Sequence, residues 1–191
     1  MRRPDTCIPE AINAMTDPRP LAVIVLGPAF EELPASVRQS HLFADRIVLK
    51  GTSSVTRGTA LWPSFLASLF RFPRASADTP VTVAKIRTGD KEIWTRNFDG
   101  QRFTSTLMVA PDGMTERFGP VTFTIALRVK DGALHYPVKS ARIGPVPLPA
   151  WLLPVSVAKE FEADGVFHFD VALYAPLTRQ LMVHYRGRLA P

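Results

Sequence analysis

Beyond residue 80 the sequence alternates between apolar and polar side chains with a period of two, the pattern of strands that bury one face. Asp-Gly pairs at residues 99–100, 112–113 and 131–132 separate these stretches and predict tight hairpin turns. An earlier stretch, interrupted by Gly51, also reads as a long strand. The predicted strands are residues 46–57, 81–87, 92–98, 102–109, 121–130, 133–142, 155–162, 166–174 and 181–189.

Before residue 80 the apolar spacing changes to that of helices. Leu33, Val37 and His41 are four residues apart, which predicts a short helix over residues 34–41 with one buried stripe. The aliphatic run at residues 21–26 fits either a buried strand or the first turns of a helix, because periodicity cannot separate the two in so short a run.

A second helix is predicted between Thr59, as its N-cap, and Pro73, which ends it. Its apolar side chains recur at i, i+3, i+4, i+7 and i+8, and they are Trp62, Phe65, Leu66, Leu69 and Phe70. Almost no lysine flanks this stripe, so we expect it to pack on a core or to cover a cavity rather than to lie on a membrane surface.

Residues 143–154 contain four prolines around Trp151. Proline cannot donate to a strand ladder, so this segment is not a central strand. We interpret it as a stiff elbow or a single helical turn at the mouth of the predicted barrel.

These elements predict a mainly β protein of the α+β class. The tight turns and the absence of βαβ alternation argue against a parallel sheet. We expect a strongly curved antiparallel sheet that forms a barrel or half-barrel of about eight or nine strands, with two short helices near the N-terminus covering one opening. Residues 1–20, with four prolines, are predicted to be a flexible leader, and residues 21–191 a single domain.

The charge of the chain narrows the classes of partner. The formal net charge is +6, from 17 Arg and 6 Lys against 17 acidic residues. The arginines are scattered and form no basic run, so we predict no nucleic-acid partner. Cys7 is the only cysteine, which excludes an intrachain disulfide and fits a reducing compartment. With no apolar stretch long enough for a signal peptide or a membrane span, the expected location is the cytoplasm.

The candidate catalytic residues lie around the predicted hairpin loop 163–165. With a three-residue loop, Glu160 would face His168 on the side of the sheet that also carries Asp170. Depending on register, Tyr185 or Arg186 lies opposite Asp170. His168 would then be a general base held by Glu160 or Asp170. The alternative is cross-strand charge pairing on a solvent-facing surface.

The same region of the sheet also offers candidate metal ligands. His168, Asp170 and His184 supply suitable donor types, but a complete site depends on a register that the sequence leaves open. We therefore predict no metal site.

Aromatic and arginine residues supply the ligand-binding candidates. Trp94 and Arg96 share one face of a regular strand, so Arg96 either lies over an aromatic ring or marks the place of an acidic ligand group. Gly119 and Pro120 predict a bend or bulge after Arg117, which would bring Arg117 to the cavity mouth, paired with an acidic residue. The ligand-binding candidates are Arg96, Arg117, Trp94, Trp151, Tyr185 and Arg186.

Seven segments, in order and spacing, resemble the bacterial DUF4166 family over residues 25–189. They are LGPAFEELPASVRQSH (26–41), VTRG (55–58), EIWTRNFDGQRFTS (92–105), ERFGP (116–120), PLPAWLLP (147–154), DGVFHFDV (164–171) and YRGRL (185–189). This chain departs from the family in having Arg179 where glycine is usual and Arg188 where a tryptophan is usual.

The resemblance implies no established activity. Members of the family occur alone or fused behind saccharopine-dehydrogenase-like or short-chain-dehydrogenase-like NAD(P)-binding domains, which implies, by analogy, an oxidoreductase partner. The chain itself has no glycine fingerprint for dinucleotides, so no cofactor is predicted.

Three hypotheses follow from the sequence. The first is a binding module that holds a small hydrophobic or amphipathic molecule, of an acidic, lipid-like kind, in its curved sheet. The second is an enzyme or the substrate-side domain of an NAD(P)-dependent oxidoreductase system, although no motif in the chain requires catalysis. The third is a protein-interaction domain that uses the elbow as its contact.

Overall fold

A computed structural model describes residues 19–191, so the predicted leader lies almost entirely outside the described residues. The described part of the chain contains three short α-helices, two 3-10 helices and one sheet. The helices are α1 (Leu21–Leu26), α2 (Ala35–His41) and α3 (Leu61–Leu69), with 3-10 turns at Gly27–Glu32 and Ala150–Leu152. The aliphatic run that the sequence left open is therefore a helix, and the proline-rich elbow contains a single helical turn. None of these helices has the length and apolar character that crossing a bilayer requires.

Thirteen antiparallel strands form the sheet. Their order across it is β10-β9-β6-β5-β4-β3-β2-β1-β13-β12-β11-β8-β7. Their bounds are β1 Arg46–Arg57, β2 Ser76–Thr88, β3 Lys91–Phe98, β4 Gln101–Ala110, β5 Gly113–Phe118, β6 Val121–Ile125, β7 Arg128–Lys130, β8 Ala133–His135, β9 Val138–Ile143, β10 Val146–Pro147, β11 Val155–Ala163, β12 Val166–Tyr174 and β13 Leu181–Ala190.

The predicted count of eight or nine strands was too low. Strands β5 and β10 were not predicted, and one predicted hairpin is broken in both arms. The first arm splits into β6 and β7, and the second into β8 and β9, where Pro137 cannot donate to a ladder. At the break, Tyr136 N donates to Ala158 O at 3.1 Å, whereas Ala126 N donates to Pro137 O at 3.1 Å. The strand pair β6 and β9 thus belongs to one end of the sheet, and β7 and β8 belong to the other.

This broken hairpin brings the two ends of the sheet together. Only Tyr136 and Pro137 separate β8, which pairs with β11, from β9, which pairs with β6. The sheet must therefore curve strongly, so that one face becomes concave. The end strands β10 and β7 are not paired with each other, so the hydrogen-bonded ladder does not close into a barrel.

The first two helices cover one end of the concave face. Leu21 at the start of α1 packs with Trp94, Leu107 and Met114, and its backbone N–H donates to Glu92 Oε1 at 2.8 Å. α2 packs against β11 and β12, and its predicted stripe is buried in the core. These contacts close the concave face at the α1–α2 end.

The third helix differs from the prediction in two ways. Its N-cap residue is Ala60 rather than Thr59, without a capping side chain. The predicted buried stripe is only partly buried, because Leu66 and Phe70 pack against the core while Trp62, Phe65 and Leu69 are exposed. The residues of α3 that are fully buried are Pro63 and Ala67. The helix therefore contacts β13 with Pro63 and Ala67 fully buried, while most of its large apolar side chains are exposed.

Candidate functional site

A pocket of about 330 Å³ occupies the concave face of the sheet. Its walls are mainly aliphatic and aromatic side chains from strands on both sides of the curve, including Phe98, Phe118, Phe167 and Phe169. Phe167, Phe169, Val171 and Leu173 share this wall, as the alternation in the sequence predicted. Polar side chains enter the pocket near the α1–α2 end, which we call the floor. They are Lys85, Arg96, Glu116, Tyr136 and Glu160.

Lys85 is the most enclosed charged group of the floor, with 2% of its surface exposed. Its Nζ donates to Ser40 O at 3.0 Å and lies 4.0 Å from the centroid of the Trp94 ring. An ammonium has three donors, and the Ser40 carbonyl is its one hydrogen-bond acceptor within residues 19–191. Burial lowers the pKa of Lys85 to about 8, although the carboxylates of Glu160 and Glu92 raise it. The amine is therefore poised between its two protonation states.

Glu160 forms a buried pair with His41. His41 Nε2 and Glu160 Oε2 are 2.6 Å apart, and the Tyr136 hydroxyl lies 3.4 Å from the same nitrogen. Burial raises the pKa of Glu160, but His41 and Lys85, with hydrogen bonds from His41 and Tyr136, bring it down to about 2. Because an ionised carboxylate only accepts, His41 carries its proton on Nε2.

His41 and Tyr136 are neutral donors in this arrangement. Burial and the charge of Lys85 lower the pKa of His41, against the carboxylate of Glu160, which raises it. Burial and the same carboxylate raise the pKa of Tyr136 well above its ordinary value. The floor therefore contains one ionised carboxylate held by two neutral donors, with the Lys85 amine nearby.

Arg96 forms the second polar group of the pocket. Its guanidinium donates to Glu116 Oε1 at 3.1 Å and to Ser105 Oγ at 2.9 Å, and Ser105 Oγ donates to the same carboxylate oxygen at 2.7 Å. The guanidinium carbon also lies 5.2 Å from the Trp94 ring centroid and 5.4 Å from that of Phe103. Arg96 therefore lies near aromatic rings, one of the two arrangements that the sequence offered, and its carboxylate partner is Glu116 of the chain itself.

Glu92 and Trp94 fix the position of the floor. Glu92 Oε2 accepts from Trp94 Nε1 at 2.9 Å, while Oε1 accepts from the N–H of Leu21. Trp94 is thereby held in the orientation that supports Lys85 on its ring. Its ring centroid also lies 5.7 Å from that of His41.

The predicted catalytic cluster is divided between the two faces of the sheet. The loop after β11 has two residues, Asp164 and Gly165, because Ala163 pairs directly with Val166. Both loop residues have positive φ, at 53° and 73°, as a tight hairpin turn requires. The predicted three-residue loop was therefore wrong, and the register differs by one residue. A one-residue slip reverses the face of every side chain.

As a result, Glu160 lies opposite Phe169 and lines the pocket, whereas His168 lies opposite Phe161 and Arg188. Arg186, rather than Tyr185, lies opposite Asp170. Tyr185 faces the pocket, where burial raises its pKa to about 12, and Arg186 is exposed.

On the outer face, Asp170 Oδ1 bonds His184 Nε2 at 2.7 Å, and the His168 ring stacks on Phe161 with 5.4 Å between centroids. These contacts resemble the surface pairing that the sequence offered as the alternative. Over residues 19–191, no group of three or more His, Cys, Asp or Glu side chains is arranged to hold a metal ion.

Two other ligand-binding candidates do not line the pocket. Arg117 is exposed, while its neighbours Glu116 and Phe118 line the cavity. Gly119 and Pro120 form a two-residue turn between paired Phe118 and Val121, without a bulge that would redirect Arg117. The predicted bulge is therefore absent, and the side chain of Arg117 does not line the pocket. Trp151 is exposed, and it is the next residue, Leu152, that lines the pocket.

Sequence reasoning missed two polar groups of the floor, Lys85 and Tyr136, and also His41, the buried partner of Glu160. Lys85 carried a usable signal, because it continues the inward alternation of Val81 and Val83. A lysine at an inward position of a strand is a candidate functional group, since its burial is unfavourable without partners. His41 was placed on the buried stripe of its helix but was assigned no role. Tyr136 gave no signal, since its position depends on the break in the hairpin.

Comparison with known proteins gives a family but no activity. The model of a family described as a domain of unknown function, DUF4166, matches residues 33–189. No curated protein matches the chain. No solved structure matches it either.

Proposed function

The chain belongs to the DUF4166 family, a domain of unknown function, and from its own site we propose that it binds a small amphipathic molecule. In this proposal the curved sheet acts as a half-barrel cup. The polar end of the ligand lies on the floor near Lys85 and Arg96, and its apolar part lies along the phenylalanine-rich walls. A cavity of about 330 Å³ is at the small end of the range for ligand sites.

The observation that carries the proposal is the buried Lys85 ammonium at the polar floor of a pocket whose walls are mainly apolar. Enclosing a lysine is unfavourable unless its charge has partners. The Ser40 carbonyl and the Trp94 ring supply two, and the carboxylates of Glu160 and Glu92 also favour the charged form. Within the part of the chain that the structure describes, donor capacity remains beyond the one hydrogen bond. An oxygen acceptor on a ligand, such as a carboxylate, would fill that capacity.

The charges of the pocket favour a ligand with one acidic group rather than several. Arg96 is already neutralised by Glu116 at 3.1 Å, and the Glu160 carboxylate repels a second anion. We therefore expect a single carboxylate or carbonyl head with an aliphatic or aromatic body. Lys85 would take its oxygen, and Arg96 would contact it from the wall.

Calorimetric titration with decanoate and with decanol tests this proposal. The two probes share one chain length and differ in the head, so decanoate should bind more tightly. Lys85→Met should weaken decanoate at least tenfold, the effect of a charged hydrogen bond, and leave decanol unchanged. Lys91→Met, at an exposed position of the same hairpin, is the matched control. Equal affinity for both probes, unaffected by Lys85→Met, would contradict the assignment of the head to Lys85.

Native mass spectrometry of the freshly purified protein complements the titration. A bound molecule of reproducible mass would identify the ligand class directly. Its loss in Lys85→Met, but not in Lys91→Met, would support the same orientation.

The lowered pKa of Lys85 favours a second candidate, an enzyme that uses this amine as a nucleophile. The neutral amine would attack an aldehyde or ketone carbon and form an imine with loss of water. Borohydride treatment with decanal would then trap a secondary amine on Lys85, seen as a mass increase on one peptide. Unmodified Lys85 under these conditions would exclude this candidate. An oxidoreductase partner, a protein-contact role for the elbow and a cytoplasmic location stay predictions.

A further inference from the structure

Large apolar side chains are exposed on three segments of the chain. On α3, Leu61 is 90% exposed, Leu69 64% and Phe65 58%. The elbow and the loop after β12 add further members. We call the set the apolar rim, and it comprises Leu61, Trp62, Phe65, Leu69, Val146, Trp151 and Leu177. Scattered apolar residues are ordinary on a protein surface, but a contiguous group marks an interaction site.

The three segments border the same opening of the pocket. Leu69 of α3, Leu152 of the elbow and Pro176 of the loop after β12 all line it. Trp62 Nε1 donates to Pro176 O at 3.2 Å, which joins α3 to that loop. The apolar rim therefore surrounds the end of the pocket opposite the floor, which we call the mouth.

The charged side chains of the three segments themselves have one sign. No aspartate or glutamate occurs in residues 46–77, 132–159 or 171–191, the stretches that contain the three segments. Exposed arginines flank the apolar side chains in each of them: Arg71 and Arg74 after α3, Arg142 before the elbow, and Arg179 in the loop. Arg179 also donates to Leu153 O at 3.2 Å, which joins the loop to the elbow.

From this pattern we infer that the mouth is a docking surface for an anionic phospholipid bilayer. Leucine, phenylalanine and tryptophan would enter the interfacial region, where tryptophan is favoured, and the arginines would meet lipid phosphates. A protein partner would need a complementary acidic and apolar face, whereas an anionic bilayer supplies both over any area. The sparse flanking lysine that argued against this interpretation is offset by arginines from separate segments that the fold brings to one opening.

This inference goes beyond the proposed ligand and stands on separate residues. The apolar rim and its arginines bind the bilayer whether or not the pocket is filled. A docked mouth would also allow an amphipathic molecule to pass between bilayer and pocket without crossing water. Lys85→Met should therefore leave vesicle binding unchanged, so failure of one proposal is distinguishable from failure of the other.

Vesicle flotation with the full chain tests the docking surface. We expect binding to vesicles of phosphatidylcholine with about one third phosphatidylglycerol, little binding to phosphatidylcholine alone, and release as salt is raised. The triple variant Leu61→Ser, Phe65→Ser, Trp151→Ser should reduce the bound fraction at least tenfold. Arg71→Gln with Arg74→Gln should weaken binding about tenfold on the anionic vesicles only.

Matched controls lie far from the mouth. Leu42 is 52% exposed at the end of α2, and Arg128 and Lys130 are exposed on β7. Leu42→Ser, and Arg128→Gln with Lys130→Gln, should leave vesicle binding unchanged. If these variants reduce binding as much as the rim variants do, the effect is nonspecific and the inference is wrong.

A second measurement reports directly whether the apolar rim enters the bilayer. Vesicles with lipids brominated on their acyl chains should quench the fluorescence of Trp62 and Trp151 but not that of buried Trp94. Tryptophan-to-phenylalanine variants that retain one tryptophan each would separate the three signals. Absence of quenching at Trp62 and Trp151 would overturn the inference. So would rim variants that abolish self-association while the unaltered protein binds no vesicle, because the surface would then be a protein interface.

Discussion

The floor and the mouth of the pocket reverse the usual distribution of residue types. At the floor, Lys85 and Glu160 are charged groups enclosed by protein, whereas at the mouth, Leu61 and Phe65 are apolar groups exposed to water. Each arrangement is unfavourable on its own. Each becomes reasonable with a partner from outside the chain, a polar ligand head at the floor and a bilayer at the mouth.

The comparison also separates stability from binding. At the floor, each charged group depends on its protein neighbours, so changes there should alter folding as well as ligand affinity. At the mouth, the side chains contact little of their own protein, so changes there should alter vesicle binding and leave folding intact. The predictions below test this difference, beginning with the largest effect.

Removal of the Glu160 carboxylate should destabilise the protein most. Glu160→Ala leaves Lys85 buried without its nearest carboxylate and His41 without its acceptor, which should cost about 3–5 kcal/mol in the free energy of unfolding. Urea denaturation, monitored by circular dichroism, measures this change in the free energy of unfolding. Glu32→Ala, on the exposed part of the first 3-10 turn, is the control and should change stability by less than about 0.5 kcal/mol. Equal effects of the two substitutions would refute the buried network.

Stability should rise with pH above 8 because of Lys85. Its pKa is lowered from 10.5 to about 8 in the folded protein, so between these values the unfolded chain binds more protons than the folded one. The free energy of unfolding should then increase by about 2 kcal/mol from pH 8 to about pH 9.5. Urea denaturation of the unaltered protein and of Lys85→Met over this range isolates the contribution. A difference between them that does not change with pH would contradict an enclosed ammonium.

Two substitutions on α3, two residues apart, compare its inner and outer sides. Ala67 is fully buried, so Ala67→Leu should overpack its contact with the sheet and destabilise by about 1–3 kcal/mol. Phe65 is 58% exposed, so Phe65→Ser should change stability by less than about 0.5 kcal/mol while it weakens vesicle binding. Thermal unfolding of both variants measures their changes in stability. A large loss of stability in Phe65→Ser would mean that the apolar rim is part of the core.

The smallest effect is expected at Arg179. This residue has φ of 56°, in the left-handed region that favours glycine. Arg179→Gly should therefore stabilise the loop by up to about 1 kcal/mol, although it removes one arginine beside the apolar rim. Arg179→Val, as the opposite change, should destabilise. Thermal unfolding midpoints that fall for both variants would show that the bond to Leu153 outweighs the backbone strain.

The sequence predicted the elements better than their assembly. Alternation located the strands, and the elbow was recognised from its prolines. The predicted strand count was too low partly because a predicted hairpin is broken at Pro137. The sequence does not show that the two parts of this hairpin belong to opposite ends of the sheet. The predicted catalytic cluster was wrong because the loop of Asp164 and Gly165 is one residue shorter than expected. The shorter loop places Glu160 and His168 on opposite faces of the sheet.

The floor was beyond sequence reasoning for a different reason. Along the chain, Lys85 is 44 residues from His41 and 75 residues from Glu160, and His41 is 119 residues from Glu160. Only the curved sheet and α2 bring these residues together. Alternation marks which residues face inward, but it does not say which inward residues meet. The exposure of α3 was missed for a related reason, since a helical apolar stripe does not indicate whether protein or lipid covers it.

The most direct test of the account is the pKa of the Lys85 amine with and without a bound carboxylate. In protein labelled with 13C at lysine Cε, NMR titration should give a pKa of about 8 for Lys85 in the free protein. Lys85→Met identifies the signal by its loss. With saturating decanoate the pKa should rise by at least one unit, because an anion beside the amine stabilises its charged form. Binding of decanoate with no change in the pKa of Lys85 would contradict the assignment of the ligand head to the floor.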